Sequence, residues 1–230
     1  MAQTLEKRYL MSLKATIIPV TPLAQNCTIF WCDETNKGVV IDPGGDVATI
    51  LDAVKELGIE VEKILLTHGH FDHVGGAMDL QDATGAPIIG PHQDDAYITC
   101  EVETIGKQFN VTGGRNVEGN TWVIDREQIT FGNITLDVAH TPGHTPGHVV
   151  FYCTAAKMAQ VGDVLFKGSI GRTDFPRGDL KTLESSIVDK LWPLGDDMTF
   201  IPGHGPTSTF GLERASNPFV GDAALSSYRS

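Results

Sequence analysis

The chain has 230 residues, ordinary apolar content, 25 glycines and a formal charge of −12, the composition of a globular protein with one core rather than a disordered or fibrous one. That charge repels a phosphate backbone and an anionic membrane, so neither nucleic acid nor a membrane is expected as a partner. No apolar run approaches the roughly 18 residues needed to span a bilayer, the first residues lack the apolar stretch of a signal peptide, and Cys27, Cys32, Cys100 and Cys153 form no CxxC pair; a cytoplasmic protein is expected.

Residues 1–13 read as a flexible extension, with Met11 as a second candidate start, and 14–230 as a single domain. β-branched runs at Ala15 to Val20, Cys27 to Cys32 and Gly38 to Ile41 predict an antiparallel meander. Asp42-Pro43-Gly44-Gly45 is a turn, and Asp46 is placed to cap a helix whose apolar residues Val47, Ile50, Leu51, Val54 and Leu57 recur at 3.6 residues, with Gly58 as its stop. Ile64 to Leu66 has strand length, Val74 to Ala83 reads as a helix and Pro87 to Ile89 as a short strand. From His92 to Glu118 the pattern is polar and weakly periodic, part helix and part loop, with His92 as a helix-start surface residue. Strands resume at Trp122 to Ile124, Gln128 to Phe131, Ile134 to Ala139, Val149 to Cys153 and Met158 to Gly162; a helix covers Asp179 to Leu191, and Thr199 to Ile201 is the last strand. Strands, helix, strand and helix followed by strands, helix and strand implies two similar halves, satisfied by two facing sheets with helices outside.

The chemistry gathers where strand-like runs end. After Leu66 come His68, His70, Asp72 and His73, four metal-capable side chains within six residues, which would repel protons and one another without a positive centre among them. His144 follows a later run, Asp163 follows Met158 to Val161, and His204 follows Phe200-Ile201. Strand ends are where layered α/β proteins assemble sites. The segment His140-Thr141-Pro142-Gly143-His144-Thr145-Pro146-Gly147-His148 spaces its histidines by four, but two Pro-Gly pairs forbid a helix, so a rigid loop presents them. His140 is expected to be a structural loop residue. His148 is expected to support the ligands or pack behind them.

This set of motifs resembles the metallo-β-lactamase superfamily: Asp42 in DPGG, His68-x-His70-x-Asp72-His73, His144 in TPGHT, Asp163 in VGDVLF and His204 in IPGHG. Within it the chain is similar to short bacterial glyoxalase-II-like hydrolases, through THGHFDHVGG, TPGHTPGHVVF, NCTIFWC, FKGSIGRTDFPRGD and TFIPGHGPTST, over Ala15 to Val220. The resemblance implies an α/β fold, the four-layer αββα sandwich, without the separate C-terminal helical domain of larger members. It also implies two divalent metal ions, zinc first and iron or manganese as alternatives: His68, His70 and His144 on one, Asp72, His73 and His204 on the other, Asp163 bridging, and Asp42 beneath the turn accepting hydrogen bonds from its backbone. The implied reaction is hydrolysis of a glutathione thioester such as S-lactoylglutathione by hydroxide formed on the metals, with Asp72 and Asp163 catalytic and a thiolate leaving. Arg172 falls near a basic glutathione contact of larger members, with Lys167 and Arg177 as neighbouring candidates for binding substrate.

Other activities compete. GRTDF also resembles mononuclear iron persulfide dioxygenases, but those typically lack the PGHG ending and the last histidine of TPGHxxGH, both present here as His204 and His148. A lactone or β-lactam hydrolase on the same metals, or a non-catalytic metal-bound module, completes the alternatives. Oligomeric state has no signature in the sequence.

Overall fold

Apolar side chains on both faces of the central strands require cover on both sides, and the chain supplies it as four layers. The computed structural model describes residues 13–109 and 113–229. Three strands, β1 (Leu13–Val20), β2 (Gln25–Cys32) and β3 (Lys37–Ile41), form the opening meander, and α1 (Val47–Leu57) returns the chain to β4 (Glu60–Leu65). Next come α2 (Phe71–Val74), α3 (Ala77–Thr84) and β5 (Ile88–Ile89), then a 3-10 turn Gln93–Asp95, α4 (Ala96–Thr99) and α5 (Val102–Gln108). The second half holds β6 (Gln128–Phe131), β7 (Ile134–His140), β8 (Val149–Cys153), β9 (Met158–Gly162) and the hairpin β10 (Leu165–Phe166) with β11 (Ser169–Ile170). It closes with α6 (Leu180–Ser186), β12 (Thr199–Pro202), β13 (Ser208–Thr209), α7 (Phe210–Ser216) and α8 (Asp222–Arg229).

The first sheet runs β1-β2-β3-β4-β5 and the second β13-β12-β9-β8-β7-β6. Between them Phe30, Val39, Ile41 and Leu65 meet Leu136, Val138, Val149, Phe151 and Ile201 in the inter-sheet core. Outside the first sheet, Val40, Ile64 and Leu66 pack against Ile50, Phe71, Val74 and Leu80. Outside the second, Val150, Ala159 and Phe200 pack against Leu183, Ile187, Leu191 and Phe210. This is the αββα sandwich. Strands β3 and β4 are parallel, as are β9 and β12, while β7 is antiparallel to β8 and β8 to β9. The carboxyl ends of β7, β9 and β12 therefore lie at one edge of the second sheet. Among the described residues no helix is long and apolar enough to cross a membrane.

Several expectations shift. The proposed extension lies outside the described residues up to position 12, as does Met11, whereas Leu13 already belongs to β1. Asp46 stands in left-handed backbone, φ 49°, and its carboxylate accepts from Thr21 N–H at 2.7 Å instead of capping α1. The expected helix from Val74 is two helices, the first starting at Phe71, because the histidine turn is itself helical. Trp122 to Ile124 is not a strand: Val123 N–H bonds Pro91 O outside any ladder, and Ile124 is exposed. The helix at Asp179 is regular only to Ser186 and continues as a π-helical turn, Ile187–Leu191.

Candidate metal centre

The single turn α2 sorts its side chains by helical angle. Phe71 and Val74, three residues apart, enter the core beneath the first sheet, which leaves Asp72 and His73 on the opposite side, toward the sheet edge. His68 precedes this turn after β4, His70 stands at its N-cap, His144 lies in the loop after β7, Asp163 follows β9 and His204 follows β12. Backbone ties carry the two sheets together at this edge: Val149 N–H bonds Thr67 O at 2.8 Å and Asn26 N–H bonds Gly203 O at 2.7 Å. The Asn26 amide also donates to Pro202 O and Gly205 O, fixing the turn that presents His204. At position 203 a Cβ would collide with Asp163 Oδ1 and the His73 ring, so only glycine lets the final turn approach.

His68 Nε2 and His144 Nε2 each lie 3.0 Å from His70 Nδ1. The other nitrogens fix the tautomers. Thr67 Oγ1 donates to Asp42 Oδ2 at 2.6 Å and so accepts from His68 Nδ1 at 3.0 Å. Arg172 O can only accept, so His144 Nδ1 carries the proton in their 2.7 Å bond. Both Nε2 atoms thus aim lone pairs at the third imidazole, an arrangement that a cation relieves. Burial, then neighbouring histidines, hold His68 well below the usual histidine range. Burial, aided by His144, pushes His70 down to about 3. His144 is lowered by burial against the pull of Asp163. Neutral imidazoles are the form that binds metal.

Beside this trio stand Asp72, His73 and His204, with His204 Nε2 3.2 Å from Asp72 Oδ2. His73 Nδ1 donates to Asp42 Oδ2 at 2.9 Å, leaving Nε2 bare; that atom is buried without a hydrogen bond, as is Asp163 Oδ1, 3.4 Å away. Asp163 Oδ2 lies 3.7 Å from His144 Nε2 and 3.9 Å from His204 Nε2, so the carboxylate sits between the two groups. Burial opposes ionisation of Asp163, yet His73 and the other histidines hold it far below the usual carboxylate range. Asp72 is likewise lowered, with His73 and His204 overcoming burial. Burial disfavours charge on His73 and His204, but Asp163 and Asp72 raise both. The pocket demands positive charge. Each triad brings its donor atoms within 4.8 Å of one another and could hold a divalent cation.

The supports lie around these groups. Asp42, fully buried, accepts from Thr67 N–H at 2.7 Å as well as from the Thr67 hydroxyl and His73. His148, kept neutral by burial, accepts the Asp163 N–H on Nε2 at 3.0 Å. His140 Nε2 donates to Pro146 O at 2.8 Å, the carbonyl fixing the proton on that nitrogen, and its ring stacks on His92 at 4.1 Å and 19°. His92, His140 and Asp94 also bring donors together, but nearly parallel rings cannot direct their in-plane lone pairs to one ion.

Of the basic residues, Arg172 is at the site: its guanidinium lies 4.5 Å from the Phe175 ring, which is edge-on to His70 at 4.8 Å and to His144 at 5.7 Å, and Asp174 pairs with it at 2.8 Å. Arg177 instead covers the Tyr97 ring at 4.3 Å. Lys167 is exposed at the tip of the β10–β11 hairpin and, among the described residues, makes no hydrogen bond or ion pair with the cluster. Two residues escape sequence reading. Phe175 lies in the quoted GRTDF run without a pattern marking its ring as a wall of the site. Asp95, buried in the polar stretch, has partners 26, 50 and 52 positions away, which no local signal reveals. Burial pushes its carboxyl up to about 6, against three hydrogen bonds.

This fold and this histidine and aspartate array define a metallo-hydrolase scaffold, and the sequence matches the metallo-beta-lactamase superfamily over residues 20–204; the chain belongs to that family. Among its relatives is a protein of Haemophilus influenzae named hydroxyacylglutathione hydrolase GloC, 44% identical over 208 residues, covering 89% of this chain and 96% of the relative. Similar solved structures include BLEG-1, titled a B3 metallo-beta-lactamase (TM-score 0.82, 32% identity, 90% of this chain and 99% of that one). TTHA1623, solved in a di-iron-bound form, matches at TM-score 0.81 and 33% identity, over 89% and 99%.

Proposed function

We propose that the protein is a dinuclear metallohydrolase that cleaves a glutathione thioester, of the S-lactoylglutathione kind, to glutathione and a hydroxy acid in the cytoplasm. The observation that carries this is the carboxylate of Asp163, set between two donor triads with Oδ1 facing an equally unpartnered His73 Nε2. His68, His70 and His144 would hold one divalent cation, Asp72, His73 and His204 a second, and Asp163 would face both. Such donors suit zinc and also accept iron or manganese, and the di-iron form of a similar structure supports iron as an occupant. The cations supply Lewis acidity to a carbonyl oxygen and acidify water.

The chain's own residues do the rest. Asp72, held ionised beside His204, can orient the proton of an attacking water. A thiol has a pKa of about 8.5, so its thiolate departs without a dedicated acid. Phe175 walls the trio with an apolar ring, and the Arg172 guanidinium upon it would meet a carboxylate of the substrate tail. Arg172, paired with Asp174, lies over the ring that walls the trio, whereas Arg177 lies over Tyr97 and Lys167 has no tie to the cluster, so Arg172 is the tail contact on which this assignment depends. The hydroxyacylglutathione hydrolase among the relatives supports the thioester. Cleavage of a β-lactam or lactone is the second candidate, favoured by the likeness to a B3 metallo-beta-lactamase.

The deciding experiment counts metals in the purified protein and compares thioester hydrolysis, β-lactam hydrolysis and oxygen consumption on glutathione persulfide. Two metals per chain with thioester turnover is the expected result. One iron with oxygen uptake would overturn it, and turnover of the β-lactam alone would select the second candidate.

A further inference from the structure

The histidines of the first triad ride on two turns, 68–70 and 140–148, and a third segment outside both grips them. Asp95 closes the 3-10 turn Gln93–Asp95 and is fully buried. Its Oδ2 accepts from Gly69 N–H at 2.9 Å and from the Thr145 hydroxyl at 2.8 Å, and its Oδ1 accepts from Gly147 N–H at 2.6 Å. Gly69 separates His68 from His70, and Thr145 follows His144. From the same short turn His92 N–H reaches Gly147 O at 3.0 Å. The approach is so close that a Cβ on residue 147 would lie 2.5–2.7 Å from Asp95 atoms. None of these bonds touches the second triad, which is secured elsewhere: His73 on Asp42, and His204 on Leu23 O at 3.2 Å.

We propose that Asp95 is a positioning residue for the first metal position, setting the distance between the His68–His70 turn and the His144 turn so that three imidazole nitrogens arrive already converged. The proposal rests on the metal assignment above. A buried carboxylate is costly unless its oxygens are fully engaged, and here three donors from two ligand-bearing turns engage them. Removing the acceptor leaves two buried N–H groups unpaired and frees the turns to separate.

The test removes metal stepwise from the holoprotein with a chromophoric chelator, in the wild type, Asp95→Asn and Thr145→Val, and records d–d spectra of the cobalt-substituted forms. Asp95→Asn sets an amide donor against donors; one of two equivalents should weaken by about 10–100-fold, the usual cost of losing an outer partner, while the other stays near the wild-type affinity and one cobalt environment changes. Thr145→Val deletes a single bond and should weaken the same equivalent less, which keeps the proposal testable if the Asn variant fails to fold. Wild-type affinity and spectra for both equivalents in the variants would overturn it, as would parallel weakening of both, the mark of general loosening. If the wild type itself held no metal, the metal assignment would fail instead.

Discussion

At the scale of the residue, Asp163 is distinguished by what faces its carboxylate, two histidines from the second group and one from the first, while its own N–H donates to His148 Nε2. Losing an outer partner of a ligand typically costs about 10–100-fold, so Asp163→Ala should cost more, with metal content by elemental analysis falling alongside activity. Retention of both would place the cations elsewhere. Arg172→Ala should raise KM for glutathione thioesters about tenfold, the size of one charge-assisted hydrogen bond, with kcat little changed; an unchanged KM would remove the tail contact. His140 is a pH probe of the loop. Burial, with the neighbouring His92, lowers its pKa against the pull of Pro146 O. A depressed folded value means its contribution is complete above the unfolded value of about 6.5 and is lost as pH falls through the folded one. Urea midpoints should therefore drop between pH 8 and pH 5.5, and His140→Gln, whose amide can still reach Pro146 O, should show a shallower drop.

At the scale of the element, α6 stands behind the His144 loop: Ser186 Oγ donates to Pro142 O at 2.7 Å, Asp179 N–H bonds Gly143 O at 2.8 Å, and Leu183 is fully buried against the second sheet. Leu183→Ala should cost about 2–5 kcal/mol in urea unfolding; a cost below 1 kcal/mol would mean the helix is not tied to that core. This helix and α1 were legible because apolar residues at 3.6 spacing mark a buried face over several turns. A single turn such as α2 offers only Phe71 and Val74, too few for periodicity, so the sequence pattern starts the helix at Val74 where the structure starts it at Phe71. Trp122 to Ile124 has strand composition, but the neighbouring Thr121 makes only an isolated bridge to Ile89, where β5 ends, and no ladder continues beyond it. The candidate ligands themselves are conspicuous, four of them crowded into six positions and the others each following a strand, whereas Asp95 owes its place entirely to contacts across the fold.

At the scale of the whole molecule, the candidate centre joins residues 68 to 204 across both sheets, so cations held there would be thermodynamically linked to the fold. For a ligand at 1,000 times its dissociation constant the linkage is worth about 4 kcal/mol, and at roughly 2–4 °C per kcal/mol for a chain of this size chelation should lower Tm by about 8–16 °C. Identical melting curves with and without chelator would show that the sandwich stands without its cations. One residue on the rim, Arg172, divides its labour: the main-chain oxygen secures the His144 ring while the side chain faces outward over Phe175. Every amino acid carries the same carbonyl, so a substitution at this position would change what lies over the Phe175 ring and leave an acceptor for the His144 ring in place.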